Sequence, residues 1–524
     1  MHHFRTRSLA GRFLFILIAS FISGNGLRAE VRLPAVLGDH MVLQQGMPAR
    51  VWGWAAPGET VSVAFAGQTL RARADAKGKW QVSLSPLSAS LDPQAMTITG
   101  DRSGKKEIAD ILVGEVWVCS GQSNMEWSMN AISPLLPDIN RADHPQVRLF
   151  HVPRRVAAVP QEDVEAAWEV CQPETVRGFS AVAYYFGREL HLNYQFPVGL
   201  IESAWGGTRI EPWTPPSGFE AVPETKEILD EIPKGDEEYR QKVTEVLPVL
   251  AAWMKTAQEA AAKGQAVPIA PEMPLHPLMS PQKPTALYNG MIHPLTPFLI
   301  RGAIWYQGES NRNDGLIYAK KMEALIKGWR SVWKAGDFPF YYVQLAPYNY
   351  PYNREVSGGD VPDFDRLPFI WEAQVEAMKI PNTGMAVITD IGNLGDIHPR
   401  NKEDVGRRLT LWARAKVYGE SELVCSGPLY KSLSVEGDKA RLDFDHTGSG
   451  LTTLDGQPPT WFEIAGDDRV FYKASAEIDG HTVVVWSPLV AKPAAVRMGW
   501  HQLAEPNLGN REGLPASPFR TDRW

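Results

Sequence analysis

The stretch that decides the fold is residues 115–125, which read EVWVCSGQSNM. Glu115 to Cys119 are predicted to form one buried β-strand, because Val116 to Cys119 are a continuous apolar run. Gly121 and the small polar residues around it then break the strand before a helix can begin. Open α/β sheets place their reactive groups at such strand ends. Ser123 is therefore a candidate nucleophile, although a serine in this position can also serve only as the N-cap of a helix.

The same pattern recurs through the middle of the chain, between Leu112 and about residue 420. Four further buried strands are predicted at Pro197 to Glu202, Gly302 to Tyr306, Phe338 to Leu345 and Met385 to Thr389. Helical patterns are found at Ala181 to Asn193, Ile317 to Trp333, Trp371 to Lys379 and Lys402 to Tyr418. Strands that alternate with helices predict an α/β domain with a mainly parallel sheet and helices on both faces.

Different patterns flank and interrupt this domain. Short strands separated by Gly and Pro turns predict β-sandwich-like modules at residues 30–111 and 421–524. A charged helical insert followed by a Pro-rich stretch occupies about residues 215–284. Residues 1–29 place three arginines ahead of an apolar run that is too short to span a bilayer, which predicts a secretory signal peptide. We therefore expect an exported protein, periplasmic or extracellular.

The composition excludes several classes of function. The 524 residues carry 53 Lys+Arg and 60 Asp+Glu, a net charge of −7, without a basic block that would bind nucleic acid or a membrane surface. No second apolar run approaches the length of about 18 residues that a membrane span requires. The three cysteines and the scattered histidines match no zinc motif, so no metal is expected.

Three other strand ends carry groups suited to acyl transfer. One strand is followed by paired glycines, the next by two side-chain amides and the last by an acid and a histidine. In chain order these are Gly206 and Gly207, Gln307 and Asn311, and Asp396 and His398. Glycines let a backbone amide approach a ligand, a side-chain amide can donate to an oxyanion, and a histidine beside a carboxylate can act as a base.

Taken together, these motifs resemble the sialate O-acetylesterase family, within the SGNH (GDSL-like) hydrolases. The resemblance is carried by MVLQQ at 41–45, GQSNM at 121–125, WGGT at 205–208, WYQGESN at 305–311, DIHP at 396–399 and EGLPASPFRT at 512–521. It covers nearly the whole chain after the signal. It implies an SGNH-type three-layer α/β/α catalytic domain at residues 112–420, flanked by N- and C-terminal β modules, and a reaction without cofactors.

The resemblance also implies a mechanism. Ser123 attacks an acetyl ester, His398 accepts the serine proton and later activates water, and an acyl-serine forms in between. SGNH enzymes usually place the supporting acid three residues before the histidine, where this chain has a glycine. Asp396, two residues before, is the expected acid. A backbone carbonyl and Asp390 are the alternatives.

The oxyanion hole is expected to combine the backbone amides of Ser123 and Gly207 with one side-chain amide. Gln307 and Asn311 both fit that last place, and Gln307 is favoured because it lies nearest the strand end. Arg209 is expected to bind a substrate carboxylate, with a structural salt bridge as the alternative.

The expected function is that of a carbohydrate O-acetylesterase, with 9-O-acetylated sialic acid as the leading substrate because of the family name. An acetylxylan or pectin-type acetylesterase is the first alternative, and a noncatalytic glycan-binding protein is the second. The only expected partner is an acetylated sugar or glycan. Trp205, Trp213 and Trp305 are either sugar-stacking walls or core residues.

Overall fold

The computed structural model of the protein describes residues 30–132, 137–351 and 366–524. The signal peptide predicted at residues 1–29 lies outside the described residues. Among the residues that are described, no helix is long and apolar enough to cross a membrane.

The N-terminal part of the described chain is built from strands. They are β1 (Val42–Gln44), β2 (Arg50–Trp54), β3 (Thr60–Phe65), β4 (Gln68–Arg73), β5 (Lys79–Ser83), β6 (Ser90–Gly100) and β7 (Gly104–Gly121). β7 has 18 residues and passes without a break through the predicted module boundary at residue 111. Its first part pairs with β6, and its second part joins the central sheet. The N-terminal module and the central domain also share one hydrophobic core.

The central sheet adds six strands to the second part of β7. They are β8 (His144–His151), β9 (Trp168–Cys171), β10 (Val198–Ala204), β11 (Gly302–Tyr306), β12 (Phe340–Val343) and β13 (Thr383–Ala386). The strand order is β13-β12-β11-β7-β10-β8-β9. Every neighbouring pair is parallel except β8 with β9. The prediction of an α/β domain with a mainly parallel sheet is confirmed.

Helices connect these strands. They are α1 (Ser123–Glu126), α2 (Met129–Ile132), α3 (Pro137–Asn140), α4 (Pro173–Val176), α5 (Ala181–Tyr194), α6 (Pro216–Glu220), α7 (Lys226–Ala262), α8 (Ile317–Trp333), α9 (Arg366–Ala377) and α10 (Lys402–Lys416). Single 3-10 turns lie at Glu211–Trp213, Pro223–Thr225 and His293–Leu295, a longer one lies at Glu309–Asp314, and a π-helical turn lies at Tyr288–Ile292.

The aromatic contacts place helices on both faces of the sheet. Trp117 of β7 packs against Phe186 of α5, with ring centroids 5.0 Å apart. Trp305 of β11 packs against Trp329 of α8. Trp117 lies opposite Gly302 in the register of β7 and β11, so Trp305, three residues further on, points to the other face. α5 and α8 therefore cover opposite faces.

The ends of β10, β7 and β11 meet at Gly121. This residue lies opposite Ala204 of β10 and Tyr306 of β11. It has a φ of 144°, and a Cβ there would lie 2.1 Å from the carbonyl oxygen of Tyr306. Only glycine allows the two strands to approach this closely. The three segments that follow these strands are thereby delivered to one point at the carboxyl edge of the sheet.

The segment predicted as a helical insert contains α6 and α7. α7 is 37 residues long, and Gly235 is its one buried residue. The chain then returns along the helix, where His276 lies 3.0 Å from Asp236. Gln282, near the end of the return, reaches the central domain.

The C-terminal part consists of antiparallel strands. They are β14 (Leu429–Glu436), β15 (Lys439–Asp445), β16 (Leu451–Thr453), β17 (Phe462–Ala465), β18 (Phe471–Lys473), β19 (Ser475–Asp479), β20 (Thr482–Trp486), β21 (Ala495–Met498), β22 (Leu508–Asn510) and β23 (Phe519–Arg520). They form sheets in the orders β14-β15-β20-β19, β18-β17-β21-β23 and β16-β22. These sheets have their own hydrophobic core, which confirms the prediction of a separate C-terminal β module.

The crossing of α10 over α5 provides a test of the fold. A Cβ on Gly406 would lie 2.8 Å from the backbone nitrogen of Phe186. We expect Gly406→Ala to lower the free energy of unfolding by about 1–3 kcal/mol, because a backbone atom cannot yield, although alanine favours helices over glycine. Denaturant unfolding measures the change. Arg407→Ala, on the more exposed side of α10, should change stability by less than about 1 kcal/mol. A stabilised Gly406→Ala protein would contradict the close crossing.

Candidate active site

The loops that follow β7 and β13 bring a serine and a histidine together. Ser123 is the first residue of α1, and His398 lies between β13 and α10. Ser123 Oγ lies 2.9 Å from His398 Nε2. This hydrogen-bond distance is the one a histidine needs to remove a serine proton. The two residues are therefore arranged as a nucleophile and its general base.

Asp396 supports the histidine mainly through the backbone. Its Oδ1 accepts a hydrogen bond from the backbone N–H of His398 at 2.9 Å. The same oxygen lies 3.7 Å from Nδ1 of the imidazole, which is longer than a hydrogen bond. Asp396 is thus a nearby negative charge rather than a direct partner of the ring. The ring of Trp127 stacks on the face of the imidazole, with ring centroids 4.5 Å apart.

Asp390, the alternative acid, is committed elsewhere. Its two carboxylate oxygens accept hydrogen bonds from Nη1 and Nη2 of Arg408, each at 2.6 Å. Arg408 is buried in α10 and also donates to the carbonyl of Val387. This bidentate pair ties the chain after β13 to α10. Asp390 has a structural role here, and Asp396 is the carboxylate that contacts the histidine.

A buried lysine lies close to the histidine. Lys402 begins α10, and burial lowers its pKa to about 7. Its ammonium donates to Oδ1 of Asn124 and lies 5.0 Å from the centre of the Tyr306 ring. Burial of the imidazole, followed by the charge of Lys402, lowers the pKa of His398, and Asp396 opposes this shift. The lowered pKa favours the neutral imidazole, which is the form that accepts a proton.

Asn124 connects the nucleophile to the rest of the site. It follows the serine directly and is buried. Its amide donates to the carbonyl of Ile397 at 3.0 Å and to the carboxylate of Glu309, and its oxygen accepts from Lys402. Ile397 immediately precedes the histidine, so one side chain fixes the nucleophile turn to the histidine loop. Burial raises the pKa of Glu309.

The glycine turn after β10 lies against the serine. A Cβ on Gly206 would lie 3.1 Å from Cβ of Ser123. The N–H of Gly206 donates to Glu126 at 2.9 Å. Gly207 has a φ of 75°, and no atom of a neighbouring residue lies within 4 Å of the position that a Cβ would take. The structure therefore places the glycine turn beside Ser123, and donation by the amides of Ser123 and Gly207 to an oxyanion stays a prediction.

Side chains hold this turn in place. Glu126, which binds the Gly206 amide, is itself paired with Arg154, whose Nε donates at 2.6 Å. Gln282, from the end of the helical insert, donates to the carbonyl of Gly207 at 2.9 Å. The insert therefore contributes to positioning the turn beside the serine.

Gln307 and Asn311 do not provide the expected oxyanion donor in this arrangement. Gln307 donates its two amide hydrogens to the carbonyl of Thr208 at 3.1 Å and to Oδ1 of Asn311 at 2.7 Å. Asn311 donates to Glu211 and Asp314. Both side chains are fully buried, and their amide hydrogens are already used. They form a polar network that supports the segment after the glycine turn.

Arg209 belongs to the same network, which corrects its expected role as a ligand for a substrate carboxylate. Its Nη2 donates to Glu211 at 2.9 Å and to Asp314 at 2.8 Å, and its Nη1 contacts the carbonyl of Ser310. The structural salt bridge is therefore the alternative that the structure supports. Lys321 adds a second cation to the same two carboxylates.

The three candidate tryptophans differ in their exposure to solvent. Trp213 and Trp305 are fully buried and belong to the core. Trp205 is partly exposed, precedes the glycine turn, and has the guanidinium of Arg154 5.6 Å from its ring centre. Trp205 is thus the one of the three that a ligand can reach.

Three residues of the site were not predicted, although the sequence contains signals for two of them. Asn124 lies inside the GQSNM motif, and Glu126 lies one helical turn after the nucleophile. Lys402 follows the histidine by four residues and begins a helix, but nothing in the sequence indicates that its side chain is buried. Across the described ranges, no group of three or more His, Cys, Asp or Glu side chains is arranged to hold a metal ion.

Comparisons with known proteins identify similar carbohydrate esterases. A family model described as "Carbohydrate esterase, sialic acid-specific acetylesterase" matches residues 113–245 and 277–386. Sialate O-acetylesterase of Rattus norvegicus is 32% identical over 463 residues, which cover 81% of this chain and 80% of the relative. Sialate O-acetylesterase of Mus musculus is 30% identical over 453 residues and covers 79% of each chain.

A solved structure is also similar over nearly the whole chain. It is the crystal structure of a carbohydrate acetylesterase from Xanthomonas citri, with a TM-score of 0.77 and 37% sequence identity. The match covers 94% of this chain and 100% of that chain. It therefore includes most of both flanking β modules as well as the central domain.

The influence of Lys402 on His398 can be measured directly. We expect Lys402→Met to raise the pKa of His398, because it removes a positive charge that disfavours the imidazolium while Asp396 still favours it. An NMR titration of the histidine side chains measures the shift, and His398→Gln identifies the resonance. Lys416→Met, at the exposed end of the same helix, should leave this pKa unchanged. An unchanged or lower pKa in Lys402→Met would rule out the electrostatic role.

Proposed function

Because this chain belongs to the sialate O-acetylesterase family of carbohydrate esterases, we propose that it removes acetyl groups from sugars with Ser123 as nucleophile and His398 as general base. The observation that carries the proposal is the 2.9 Å contact between Ser123 Oγ and His398 Nε2. The family explains which reaction such a pair performs. The geometry supports the assignment of the two roles.

In the first half of the reaction, Ser123 Oγ attacks the acetyl carbonyl carbon while His398 Nε2 accepts its proton. Negative charge develops on the carbonyl oxygen, where the N–H groups of Ser123 and Gly207 stabilise it. When the tetrahedral intermediate collapses, the bond to the sugar oxygen breaks. The imidazolium gives its proton to that oxygen, the sugar leaves, and an acetyl-serine remains.

In the second half, water attacks the acetyl-serine and His398 removes a proton from it. The new tetrahedral intermediate uses the same two amides, and its collapse releases acetate and returns the proton to Ser123. His398 must be neutral at the start of each half. Burial and the charge of Lys402, which lower the pKa of His398, support this requirement.

Two classes of acetylated sugar compete as the substrate. The family description and the curated relatives name sialic acid or its ester, whose carboxylate would need a cation beside the site. Arg209 is paired with Glu211 and Asp314, and Arg154 is paired with Glu126. This pairing favours acetylated neutral sugars, such as those of xylan, as a second candidate.

The role of Ser123 is tested by Ser123→Ala. We expect the variant to lose at least about a thousandfold in kcat for acetate release from an aryl acetate, because the nucleophile is removed. Ser120→Ala is a matched control from the same segment. Its hydroxyl is buried and lacks a hydrogen-bond partner among the described residues, so this variant should keep its activity. Equal activity of Ser123→Ala and the unmodified protein would rule out Ser123 as the nucleophile.

The substrate is decided in the same assay. Acetate release from 9-O-acetylated sialic acid and from acetylated xylan is compared at equal concentrations of folded protein. A higher kcat/KM on the sialic acid supports the substrate that the relatives' names give, and a higher value on xylan supports the neutral sugar. A noncatalytic glycan-binding protein would release acetate from neither.

The position of Asp396 predicts an intermediate effect on catalysis. We expect Asp396→Asn to lower kcat/KM by about tenfold to a hundredfold, less than the roughly ten-thousandfold loss that removal of a directly bonded triad acid causes. The acidic limb of the pH profile should move to lower pH, because Asp396 raises the pKa of His398. In a His398→Gln background the same change should have little further effect, since Asp396 acts through the histidine. A full ten-thousandfold loss would indicate a direct bond to the imidazole.

A further inference from the structure

The C-terminal module contains a cavity of about 640 Å³. Trp461, Trp500 and Phe471 line it together with the charged side chains of Glu463, Lys473 and Arg497. This volume and this combination of aromatic walls with a few polar groups are typical of small-molecule sites. Neither Ser123 nor His398 lines the cavity.

Trp461 is held in an unusual conformation at the wall of this cavity. Its φ is 63°, in the left-handed region that bulky residues rarely adopt. Its side chain is nevertheless 43% exposed, and its ring lies nearly parallel to that of His501, with an interplanar angle of 19°. The carbonyl of Trp461 accepts from the N–H of Gly499 at 2.9 Å, which fixes the backbone. Strained residues of this kind cluster at ligand sites.

The polar groups form a row across one sheet. Glu463 of β17 lies opposite Lys473 of β18 and opposite Arg497 of β21, so the three side chains share one face. Phe462 and Ile464 point to the other face and are buried in the core of the module.

Glu463 and Lys473 are available to a ligand. Both are exposed, and neither forms a hydrogen bond or salt bridge with another side chain in the described part of the chain. Arg497 is paired with Asp522 and lies 3.9 Å from the centre of the Phe471 ring. The cavity therefore offers one free acceptor and one free donor beside aromatic faces, with no net charge.

We infer that this cavity is a second carbohydrate site, which binds a neutral sugar residue of the glycan that the enzyme deacetylates; the last clause rests on the proposed function. A pyranose ring has apolar C–H faces that stack on aromatic rings, as Trp461 allows, and hydroxyl groups that both donate and accept hydrogen bonds. Glu463 accepts from such hydroxyls and Lys473 donates to them. The cavity has no uncompensated positive charge that would select an anion, because Lys473 lies opposite Glu463 and Arg497 is paired with Asp522.

The cavity is connected to the histidine loop through the backbone. Gln502 follows His501 in the chain, and its carbonyl accepts from the N–H of Tyr348 at 3.0 Å. The next residue, Asn349, donates its N–H to the carbonyl of Leu394. Leu394 lies two residues before Asp396. Two backbone hydrogen bonds thus connect the segment after His501 to the loop that carries Asp396 and His398.

The experiment measures binding separately from hydrolysis. The full-length Ser123→Ala protein, which cannot deacetylate, is titrated with xylohexaose, cellohexaose and mannohexaose, and with sialyllactose as the acidic sugar, by calorimetry. We expect at least one neutral hexasaccharide to bind. Adding Trp461→Ala should weaken its binding by about tenfold or more, because a stacking face is lost. Trp524→Ala removes a tryptophan of the same 43% exposure outside the cavity and should leave the affinity unchanged.

Two further measurements test the same cavity. In the active protein, Trp461→Ala should raise KM for acetylated xylan while kcat/KM for an aryl acetate stays the same. If Trp461→Ala does not fold, the exposed pair Glu463→Gln and Lys473→Met tests the same cavity. Absence of binding by all three neutral hexasaccharides, preference for sialyllactose, or unchanged affinity in the cavity variants would overturn the inference. Loss of the proposed esterase activity would instead appear in the aryl acetate assay and leave the binding result standing.

Discussion

The close approach of β7 to β11 at Gly121 is the constraint on which the site depends. A side chain there would collide with the carbonyl of Tyr306, so the two strands could not end side by side. Because β10 ends at the same level on the other side of β7, the serine, the glycine turn and the segment after β11 emerge together. The strand order reverses around β7, which is where open α/β sheets form their ligand crevice. The sheet therefore determines where the segments that carry the catalytic groups begin.

The second level of organisation is a set of buried polar side chains that hold the reacting groups from behind. Asn124 joins the nucleophile turn to the histidine loop, and the network of Gln307 and Asn311 supports the chain after the glycine turn. Such side chains have every donor in use, so they are unsuited to receive a transient oxyanion. Their amides stabilise the arrangement of the site, and in the proposed mechanism the backbone N–H groups of Ser123 and Gly207 stabilise the oxyanion instead.

The sequence predicted the groups of the site that follow strand ends. It did not predict the contacts that side chains make with residues distant in the sequence. Ser123, His398 and the glycine turn follow buried strands, and the parallel order brings them together. The sequence left two roles open for Arg209, a substrate carboxylate and a structural salt bridge, and only the structure shows its pairing with Glu211 and Asp314. The burial of Lys402 depends on how α10 packs near Tyr306, which no local pattern contains. The continuous strand between the N-terminal module and the central domain was likewise not predicted, because β7 belongs to both.

The distance between Asp396 and the imidazole fits the chemistry proposed for the site. An acetyl ester of a sugar is a more reactive acyl donor than an amide, so less stabilisation of the imidazolium is required. A histidine with a lowered pKa, held by a stacked tryptophan and a backbone contact, is neutral over a wider pH range than one bonded tightly to a carboxylate. The neutral imidazole of His398 is therefore available over a wider pH range, although it is a weaker base. That balance suits the proposed hydrolysis of an acetyl ester.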